Sequence, residues 1–357
     1  MDPKATPPPR KEMIDMTAFR CWAAAACAGL LLLPLPRAAH AWGPEGHSII
    51  ASLALTQLTP AARAALDDIL DDYKITDYEI ASWADIIRGD KAYEERYPNN
   101  GRWHFIDFDV QQWYDENFAL TLSADGNDVV SQIYRWRDDL ADSGKMNDEE
   151  RLNAIRFLVH LVGDMHQPLH CAYRYGDMGG NMLPVHSFSG ENYSFDENTP
   201  MDYGYPSLHS VWDESMVHEL VGNRALRTVV RELSTESSPE DIAVWTRGGD
   251  VLRWANDSYW IARKQVYRWT DGTKVPFNWA RPGMDMTREN YIDSHLPIVR
   301  DQLKKGGARL GLLLNQALDP ALRQPRFVPP APATAPAVAE AESATDSSET
   351  PVATKEE

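Results

Sequence analysis

Residues 160–170 carry a dense set of side chains that can bind metal ions. The segment reads His-Leu-Val-Gly-Asp-Met-His-Gln-Pro-Leu-His. In a helix, His160 and Asp164 lie one turn apart on the same face, so they can hold one ion or two adjacent ions. His166 lies roughly 200° further round the helix than Asp164 and is not expected to join that face.

Pro168 predicts the end of this helix. Proline removes a backbone N–H and clashes with the preceding turn, so the chain should turn there and direct His170 toward a different ion. The apolar residues 157–159, 161 and 162 indicate that the segment is buried. Buried imidazoles and carboxylates need a compensating partner, and zinc suits this ligand set. The simpler interpretation is an amphipathic helix with a polar, exposed end.

Further candidate ligands lie on both sides of this segment. Asp85 follows Trp-Ala in an apolar run, and His104 lies in the extended-looking stretch Trp-His-Phe-Ile-Asp. His209 and Asp213 repeat the His-x-x-x-Asp spacing, again one helical turn apart. Each of these residues is a plausible buried ligand.

The first 41 residues have the features of a secretory signal peptide. Arg20 precedes an apolar run from Cys21 to Leu35, and Ala39-His40-Ala41 fits an Ala-x-Ala cleavage site. Cleavage there would begin the mature chain at Trp42, so we expect a secreted or periplasmic protein without a membrane anchor. The free amino group and the carbonyl oxygen of Trp42 could then chelate a metal, with His47 as a further ligand.

Four residues near the candidate ligands suit a nucleic-acid substrate. Phe105 could stack on a base, and Asp107 could accept hydrogen bonds from a base edge. Arg88, one turn after Asp85, could pair with that carboxylate or reach a phosphate. Asn181 ends the stretch Gly-Asp-Met-Gly-Gly-Asn, which is flexible enough to approach a ligand. Taken singly, such residues are more often ordinary core or loop positions.

The chain is acidic and poor in cysteine. Its formal net charge is −18, which argues against a protein that binds nucleic acid through a broad basic surface. A metal cluster could instead supply positive charge at one point. Cys21 and Cys27 lie in the predicted leader, which leaves Cys171 as the only cysteine of the mature chain. We therefore expect no internal disulfide.

Helical patterns dominate residues 42–323 and predict a single all-α domain. The predicted helices span 47–58, 60–73, 78–88, 128–140, 148–166, 215–233, 239–269 and 287–318, with a loop at 182–206. Thr59-Pro60 and Ser238-Pro239 are typical helix starts, and Asn147 with Glu150 has the capping-box spacing. Residues 324–357 are rich in Pro, Ala, Thr, Ser and Glu, which predicts a disordered tail.

Taken together, these motifs resemble those of the S1/P1 nuclease family of secreted, zinc-dependent nucleases. The likeness extends from Trp42 to about Leu318. It includes, in the family's order, Trp-Gly-x-x-Gly-His, Trp-Ala-Asp, His-Phe-Ile-Asp, His-x-x-x-Asp-x-His-Gln-Pro-Leu-His, Gly-Gly-Asn and Leu-His-Ser-Val-Trp-Asp. The resemblance implies the phospholipase C/P1 nuclease fold, a compact multi-helix domain with three zinc ions in a cleft. The missing disulfides of eukaryotic members point to the bacterial branch.

The resemblance also implies a role for each candidate residue. One zinc would be held by Asp85, His104, His160 and Asp164, a second by His170, His209 and Asp213, and the third by Trp42 and His47 with Asp164 as a bridge. Phe105 and Asp107 would bind the nucleobase. Arg88 and Asn181 would lie near the scissile phosphate and, with Asp85 and Asp164, would take part in catalysis.

The implied activity is hydrolysis of single-stranded DNA and RNA to 5′-phosphomononucleotides by attack of a zinc-bound hydroxide. Removal of terminal 3′-phosphates is a further activity that the family implies. The expected form is a monomer without a stable protein partner. Two alternatives stay open. A zinc phospholipase C shares the fold, but it has a longer spacing from Trp to the first His and has Glu where this chain has Asp213. An inactive secreted zinc-binding protein would retain the ligands without the chemistry.

Overall fold

The computed structural model describes residues 42–110, 121–193, 206–277 and 283–329, and most of these residues are helical. The predicted all-α class is confirmed. The predicted leader and residues 330–357 of the predicted tail lie outside these ranges. Within the ranges, no helix combines the length and the apolar character needed to cross a lipid bilayer.

The α-helices of the described ranges occur along the chain in the following order. They are α1 (Pro44–Leu55), α2 (Pro60–Leu70), α3 (Tyr78–Ala81), α4 (Trp83–Ile86), α5 (Lys91–Glu94), α6 (Val129–Ala141), α7 (Asp148–His166), α8 (Leu208–Ser210), α9 (Met216–Val221), α10 (Leu226–Glu236), α11 (Pro239–Trp245), α12 (Val251–Ile261) and α13 (Asp293–Leu318). Short strands β1 (Val185–Phe188), β2 (Glu191–Asn192) and β3 (Met284–Met286) form a small sheet.

Local sequence fixes where the helices begin. The Thr59 hydroxyl accepts a hydrogen bond from the Ala62 amide at the start of α2. Asn147 and Glu150 form the predicted capping box at the start of α7. Because these side chains satisfy backbone groups that have no partner within the helix, they stabilise each start by about 1 kcal/mol.

Some predicted helices are divided in the structure. The helix predicted for 215–233 breaks at Gly222, where φ is 56°, and α10 begins at Leu226. The helix predicted for 239–269 breaks near Gly248, where φ is 78°. Glycine adopts this left-handed conformation readily and a right-handed helix cannot continue through it. Because the apolar periodicity of the sequence continues across both breaks, it predicts one continuous helix in each region.

Helix α7 is the centre of the fold. It contacts α1, α2, α3, α4, α6, α12 and α13, and every residue from Phe157 to His166 is buried. The helix ends at His166, and residues Pro168–Cys171 form a 3-10 turn, as Pro168 predicts. Since this part of α7 is enclosed on all sides, His160 and Asp164 face an internal site.

Glycines allow α13 to approach α1 closely. A Cβ atom on Gly307 would lie 2.3 Å from Leu53 Cβ, and one on Gly311 would lie 2.6 Å from Gln57 Cβ. Both distances are well inside van der Waals contact. Because α13 also contacts α7, it fixes α1, which carries His47, relative to the central helix.

The small sheet corrects the prediction of a loop at 182–206. Strand β1 pairs antiparallel with β2 and parallel with β3, which lies about one hundred residues later in the chain. Val185 and Phe188 are buried, whereas both residues of β2 are exposed. Pairing with a sequence-distant strand leaves no local signal in so short a segment. Residues 194–205 lie outside the described ranges.

Replacing Gly307 by alanine tests the close packing of α13 on α1. We expect Gly307→Ala to lower the free energy of unfolding by about 1–3 kcal/mol, because the added methyl overpacks against Leu53. The measurement is the urea midpoint by circular dichroism. Gly144→Ala is the matched control, since a Cβ there meets nothing within 4 Å. Equal midpoints for the two variants would contradict this account of the interface.

Candidate metal centre

Several separate elements bring the candidate ligands together. Helix α7 supplies His160 and Asp164, and the turn after it supplies His170. The remaining ligands come from α1 (His47), α4 (Asp85), the segment after Arg102 (His104), and α8 with the π-helical turn after it (His209 and Asp213). All of these side chains are buried.

Asp164 lies at the middle of the first cluster. Its Oδ1 atom is 3.3 Å from His47 Nε2 and 3.3 Å from His160 Nε2, and its Oδ2 atom is 2.8 Å from His104 Nδ1. Asp85 faces the same group, at 3.4 Å from His160 Nε2 and 3.5 Å from His104 Nδ1. One carboxylate therefore faces three imidazoles from three different parts of the chain.

The second cluster consists of His170, His209 and Asp213. The two Nε2 atoms lie 3.1 Å apart, and Asp213 Oδ2 is 3.4 Å from His209 Nε2. The potential ligand atoms of this cluster all lie within 4.8 Å of one another, as do those of two overlapping groups, His47–Asp85–His160 and His104–His160–Asp164. The described part of the chain thus has three groups that could hold a metal ion, two of which share His160.

The orientation of the histidine rings suits metal ligation. His160 Nδ1 lies 2.9 Å from the Ala81 carbonyl, His170 Nδ1 lies 2.6 Å from the His104 carbonyl, and His209 Nδ1 lies 2.7 Å from the Gly179 carbonyl. Carbonyl oxygens only accept, so Nδ1 must carry the proton and donate it. The Nε2 lone pairs are then directed into the clusters, which is the usual arrangement of ligating histidines.

The distances and the unpaired atoms within the clusters fit zinc. Two ligands at 2.0–2.1 Å from a tetrahedral zinc are separated by about 3.3 Å, close to the separations between 3.1 and 3.5 Å described above. His47 Nε2, His160 Nε2, Asp164 Oδ1 and Asp213 Oδ2 are buried and have no hydrogen-bond partner among the described residues. A divalent cation would compensate these atoms, and a nitrogen and oxygen donor set suits zinc.

Burial sets the charge state of most of these imidazoles. It lowers the pKa values of His47, His104, His170 and His209, the last to about 4. The four rings are therefore neutral near pH 7, which is the form that binds metal.

His160 and the carboxylates respond differently to burial. Burial alone would lower the pKa of His160, but the attraction of Asp164 and Asp85 outweighs it and raises this pKa to about 9. Burial raises the pKa values of Asp164 and Asp213. A bound cation would compete with the His160 proton and favour the ionised carboxylates.

Trp42, the first residue that the structure describes, lies beside the second cluster. Its side chain is fully buried, and the amide of Gly43 donates a 2.6 Å hydrogen bond to the Asp213 carbonyl. The backbone of Trp42 is thereby held next to the Asp213 segment, while His47 extends from the first turn of α1 into the first cluster.

The structure describes all four predicted substrate residues. Arg88 is half-buried and contributes to lowering the pKa of His104 and His209, so its charge acts on both clusters. Phe105 directly follows His104 and is half-buried, and Asp107 is exposed at the surface. Asn181 donates its side-chain amide to the Met178 carbonyl, in the loop whose Gly179 carbonyl accepts from His209.

Two residues within the central segment were not recognised as functional from sequence. Gln167 donates from Nε2 to Asp213 Oδ1 at 2.6 Å and accepts from the Leu169 amide at 2.7 Å, so it orients the Asp213 carboxylate. Gly163 must be glycine because a Cβ there would lie 2.4 Å from His47 Nδ1. The position of Gln167 between the candidate ligands Asp164 and His170 indicated a role at the site, but its partner Asp213 is distant in sequence and could not be identified from it.

His166 and Cys171 belong to the core. As its helical position predicts, His166 is directed away from the metal ligands: Nδ1 donates to the Val162 carbonyl and Nε2 lies 3.1 Å from the Arg309 guanidinium. Cys171 is buried, and its thiol donates to the Met165 carbonyl. Neither residue is part of the metal clusters.

Comparison with known proteins decides the family. The S1/P1 Nuclease family model matches residues 42–319. The chain belongs to this family. It is therefore a nuclease, an enzyme that hydrolyses phosphodiester bonds. The S1/P1 nuclease family is zinc-dependent, and the clustered His and Asp side chains are groups that could hold the metal.

Individual relatives of this S1/P1 nuclease match over most of its length. Endonuclease 2 of Arabidopsis thaliana is 27% identical over 290 residues, which cover 78% of this chain and 90% of the relative. Nuclease P1 of Penicillium citrinum is 28% identical over 296 residues, covering 77% and 97%. Nuclease S1 of Aspergillus oryzae is 28% identical over 298 residues, covering 79% and 94%. The bacterial origin of this chain stays a prediction.

Substitution of Gln167 tests its role in orienting Asp213. We expect Gln167→Ala to weaken zinc binding at the second cluster about 10–100-fold, as is usual for residues that hold a metal ligand in place. Competition with a chromophoric zinc chelator measures the affinity. Gln302→Ala is the matched control, because Gln302 is equally buried but donates to the His166 carbonyl and Ser258. Unchanged affinity in Gln167→Ala, or an equal loss in both variants, would refute a specific role.

Proposed function

We propose that this S1/P1 nuclease is a secreted endonuclease that binds three zinc ions and hydrolyses single-stranded DNA and RNA to 5′-phosphomononucleotides, with removal of terminal 3′-phosphates as a second activity. The observation that carries the proposal is the convergence of the His104–His160–Asp164, His47–Asp85–His160 and His170–His209–Asp213 groups in one buried region. A multinuclear zinc site is a recurrent solution for phosphodiester hydrolysis.

The proposed zinc ions would divide the candidate ligands into three sets. Asp85, His104, His160 and Asp164 would hold one ion, and His170, His209 and Asp213 a second. The amino group and carbonyl oxygen of Trp42, with His47 and a shared Asp164, would hold the third, which requires cleavage after Ala41. Zinc bound there supplies acidified water at neutral pH and stabilises charge on the phosphoryl and leaving oxygens.

The side chains around the ligands would position the substrate. The charge of Arg88 contributes to lowering the pKa of a histidine in each cluster, so Arg88 lies near enough to suit a phosphate oxygen bound there. Asn181 is held by its own loop, and its amide could donate to the same phosphate. No side-chain nucleophile is needed for this reaction. The carboxylates of Asp85 and Asp164 would take part in it as zinc ligands.

A single strand suits the base site better than a duplex. Phe105 is half-buried beside the metal ligand His104, and Asp107 is exposed two residues later. A base can reach both residues only when it is unstacked and unpaired. The net charge of −18 also opposes contact with a long, rigid duplex, because duplex binding depends on extended basic surfaces.

The location and assembly of the protein follow from the predicted processing. Residues 1–41 would direct export and be removed, residues 42–323 would form the nuclease domain, and residues 324–357 would be a disordered tail. The enzyme would act as a secreted or periplasmic monomer without a membrane anchor or stable protein partner.

Metal analysis and product analysis on one sample test the function. The chain beginning at Trp42 should contain three zinc ions by elemental analysis and release 5′-mononucleotides from single-stranded DNA and RNA. His160→Gln should lose zinc and activity, while His218→Gln should retain both, because His218 is exposed and lies outside the clusters.

Other outcomes would favour the alternatives. Hydrolysis of phosphatidylcholine alone would make the protein a zinc phospholipase C, and three zinc ions without any hydrolysis would make it a zinc-binding protein. Full activity with fewer ions would contradict the proposed metal count.

Asp107 provides a pH test of base recognition. Although part of Asp107 is exposed, the surrounding protein desolvates its carboxyl group, and this desolvation together with repulsion from Asp177 raises the pKa to about 6, while Arg102 opposes the shift. Above that pH the carboxylate only accepts hydrogen bonds from a base, and below it the neutral acid accepts less strongly. We expect KM for a guanine-rich single strand to rise about tenfold between pH 7 and pH 5. Asp107→Asn should abolish this dependence and Asp109→Asn should retain it; the same profile in all three proteins would count against Asp107.

A further inference from the structure

Two aromatic rings outside the metal clusters form an exposed pair. Tyr175 is 60% exposed and Phe277 is 37% exposed, with ring centroids 5.1 Å apart. Large apolar side chains in a soluble protein are usually less exposed than this, and a contiguous exposed patch often marks a binding surface. The pair has no part in the proposed metal or base sites.

The pair lies beside the predicted base site. The segments that start at the ligands His104 and His170 run side by side: the Ile106 amide donates to the His170 carbonyl at 2.8 Å, and the amide of Tyr173 donates to the Phe108 carbonyl at 3.0 Å. Both segments lead away from the metal ligands. Tyr175 follows Tyr173 by two residues, so it lies just beyond the part of this segment that pairs with the segment carrying Phe105.

Electrostatics shows the same proximity. The Asp177 carboxylate contributes to raising the pKa of Asp107, so the loop that contains Tyr175 and Asp177 lies close enough to Asp107 for the two carboxylates to repel each other. A strand bound with one base at Phe105 and Asp107 would have this loop near it.

Arg174 fixes the two rings relative to each other. Its backbone amide donates to Asp177 Oδ1 at 2.8 Å, and its guanidinium donates to the Val275 carbonyl at 2.8 Å. The guanidinium also lies over the rings of Tyr267 and Phe277, at 4.5 and 5.9 Å from their centroids. The buried Arg174 thus joins the Tyr175 loop to the Phe277 segment, so the Tyr175–Phe277 pair is preorganised.

The backbone of the loop is strained around Tyr175. Tyr175 has φ 56° and Met178 has φ 52°, in the left-handed region that favours glycine. Met178 is also 61% exposed. Strain of this kind persists where the surrounding structure imposes it and is concentrated at ligand-binding sites. Because Tyr175 and Met178 are both exposed, core packing does not explain their left-handed backbone conformations.

We propose that Tyr175 and Phe277 form a second base-stacking subsite, which binds a further base of the single strand whose reacting nucleotide lies at Phe105. This inference rests on the proposed function. Aromatic faces stack on any base, so the subsite adds affinity without sequence preference. Stacking also lets this acidic protein bind a single strand without an extended basic surface.

Kinetics with a long and a short ligand tests the subsite. For the Tyr175→Ala/Phe277→Ala double variant we expect KM for a single-stranded DNA octamer to rise about tenfold, the loss expected when base stacking is removed, with kcat within twofold. Adenosine 5′-monophosphate, which has one base, should inhibit the variant and the unmodified enzyme equally. Tyr175→Phe should retain the KM, and Tyr73→Ala, which removes another exposed tyrosine, should leave it unchanged.

Fluorescence anisotropy with a labelled octamer separates this inference from the proposed function. The zinc-loaded double variant should bind the octamer about tenfold more weakly than the unmodified enzyme. An unchanged KM and Kd, or equal losses for the octamer and the mononucleotide, would overturn the subsite while leaving the nuclease intact. An unmodified chain that neither binds nor cleaves the octamer would overturn both proposals. If the unmodified chain is a dimer, the double variant is a monomer and KM is unchanged, the Tyr175–Phe277 pair is instead an interface between two copies of the chain.

Discussion

The burial of five imidazoles and three carboxylates in one region is the constraint on which the rest of the structure depends. Polar groups removed from water destabilise a fold unless each finds a partner. Backbone carbonyls partner the Nδ1 side of His160, His170 and His209, but the opposite nitrogens converge on each other and on carboxylate oxygens. A bound cation would partner these converging atoms, so metal binding and folding are expected to be thermodynamically linked.

The framework that holds these groups is rigid on the metal side and irregular on the substrate side. The metal ligands lie on or directly beside helices packed around α7, and close glycine contacts at α13 and Gly163 allow no large displacement. Phe105, Asp107, Asn181 and Tyr175 lie instead on segments without regular secondary structure. Regular elements fix metal geometry within narrow limits, whereas irregular segments can differ among relatives without disturbing the metals.

The acidic character of the protein restricts how it can bind a polyanionic strand. The chain carries a formal net charge of −18, which repels a polyanion at long range, although salt screens this repulsion beyond about 8–10 Å. Arg88 and the proposed zinc ions would concentrate positive charge close to the phosphate that reacts. Stacking on aromatic rings is insensitive to the sign of the surface charge, so it suits binding of the remaining nucleotides by this protein.

The sequence by itself determined the helical class, the start of α7 and the residues that could bind metal. These features depend on short-range rules: the capping box of Asn147 and Glu150, the effect of Pro168 on the backbone, and the one-turn spacing of His160 and Asp164. The turning away of His166 followed from the same helical geometry. Periodicity failed where Gly222 and Gly248 interrupt helices, because apolar spacing continues through a break that only backbone conformation reveals.

The tertiary structure alone decided how distant segments meet. Neither the bond from Gln167 to Asp213 nor the fit of His47 against Gly163 has a local signature, since each joins segments separated by many residues. Strand β1 pairs with its neighbour β2 and also with β3, which arrives from much later in the chain. The pairing of Tyr175 with Phe277 likewise depends on the buried Arg174. Side-chain type and spacing along the chain thus specify which groups can act, while packing of the whole chain specifies which of them face each other.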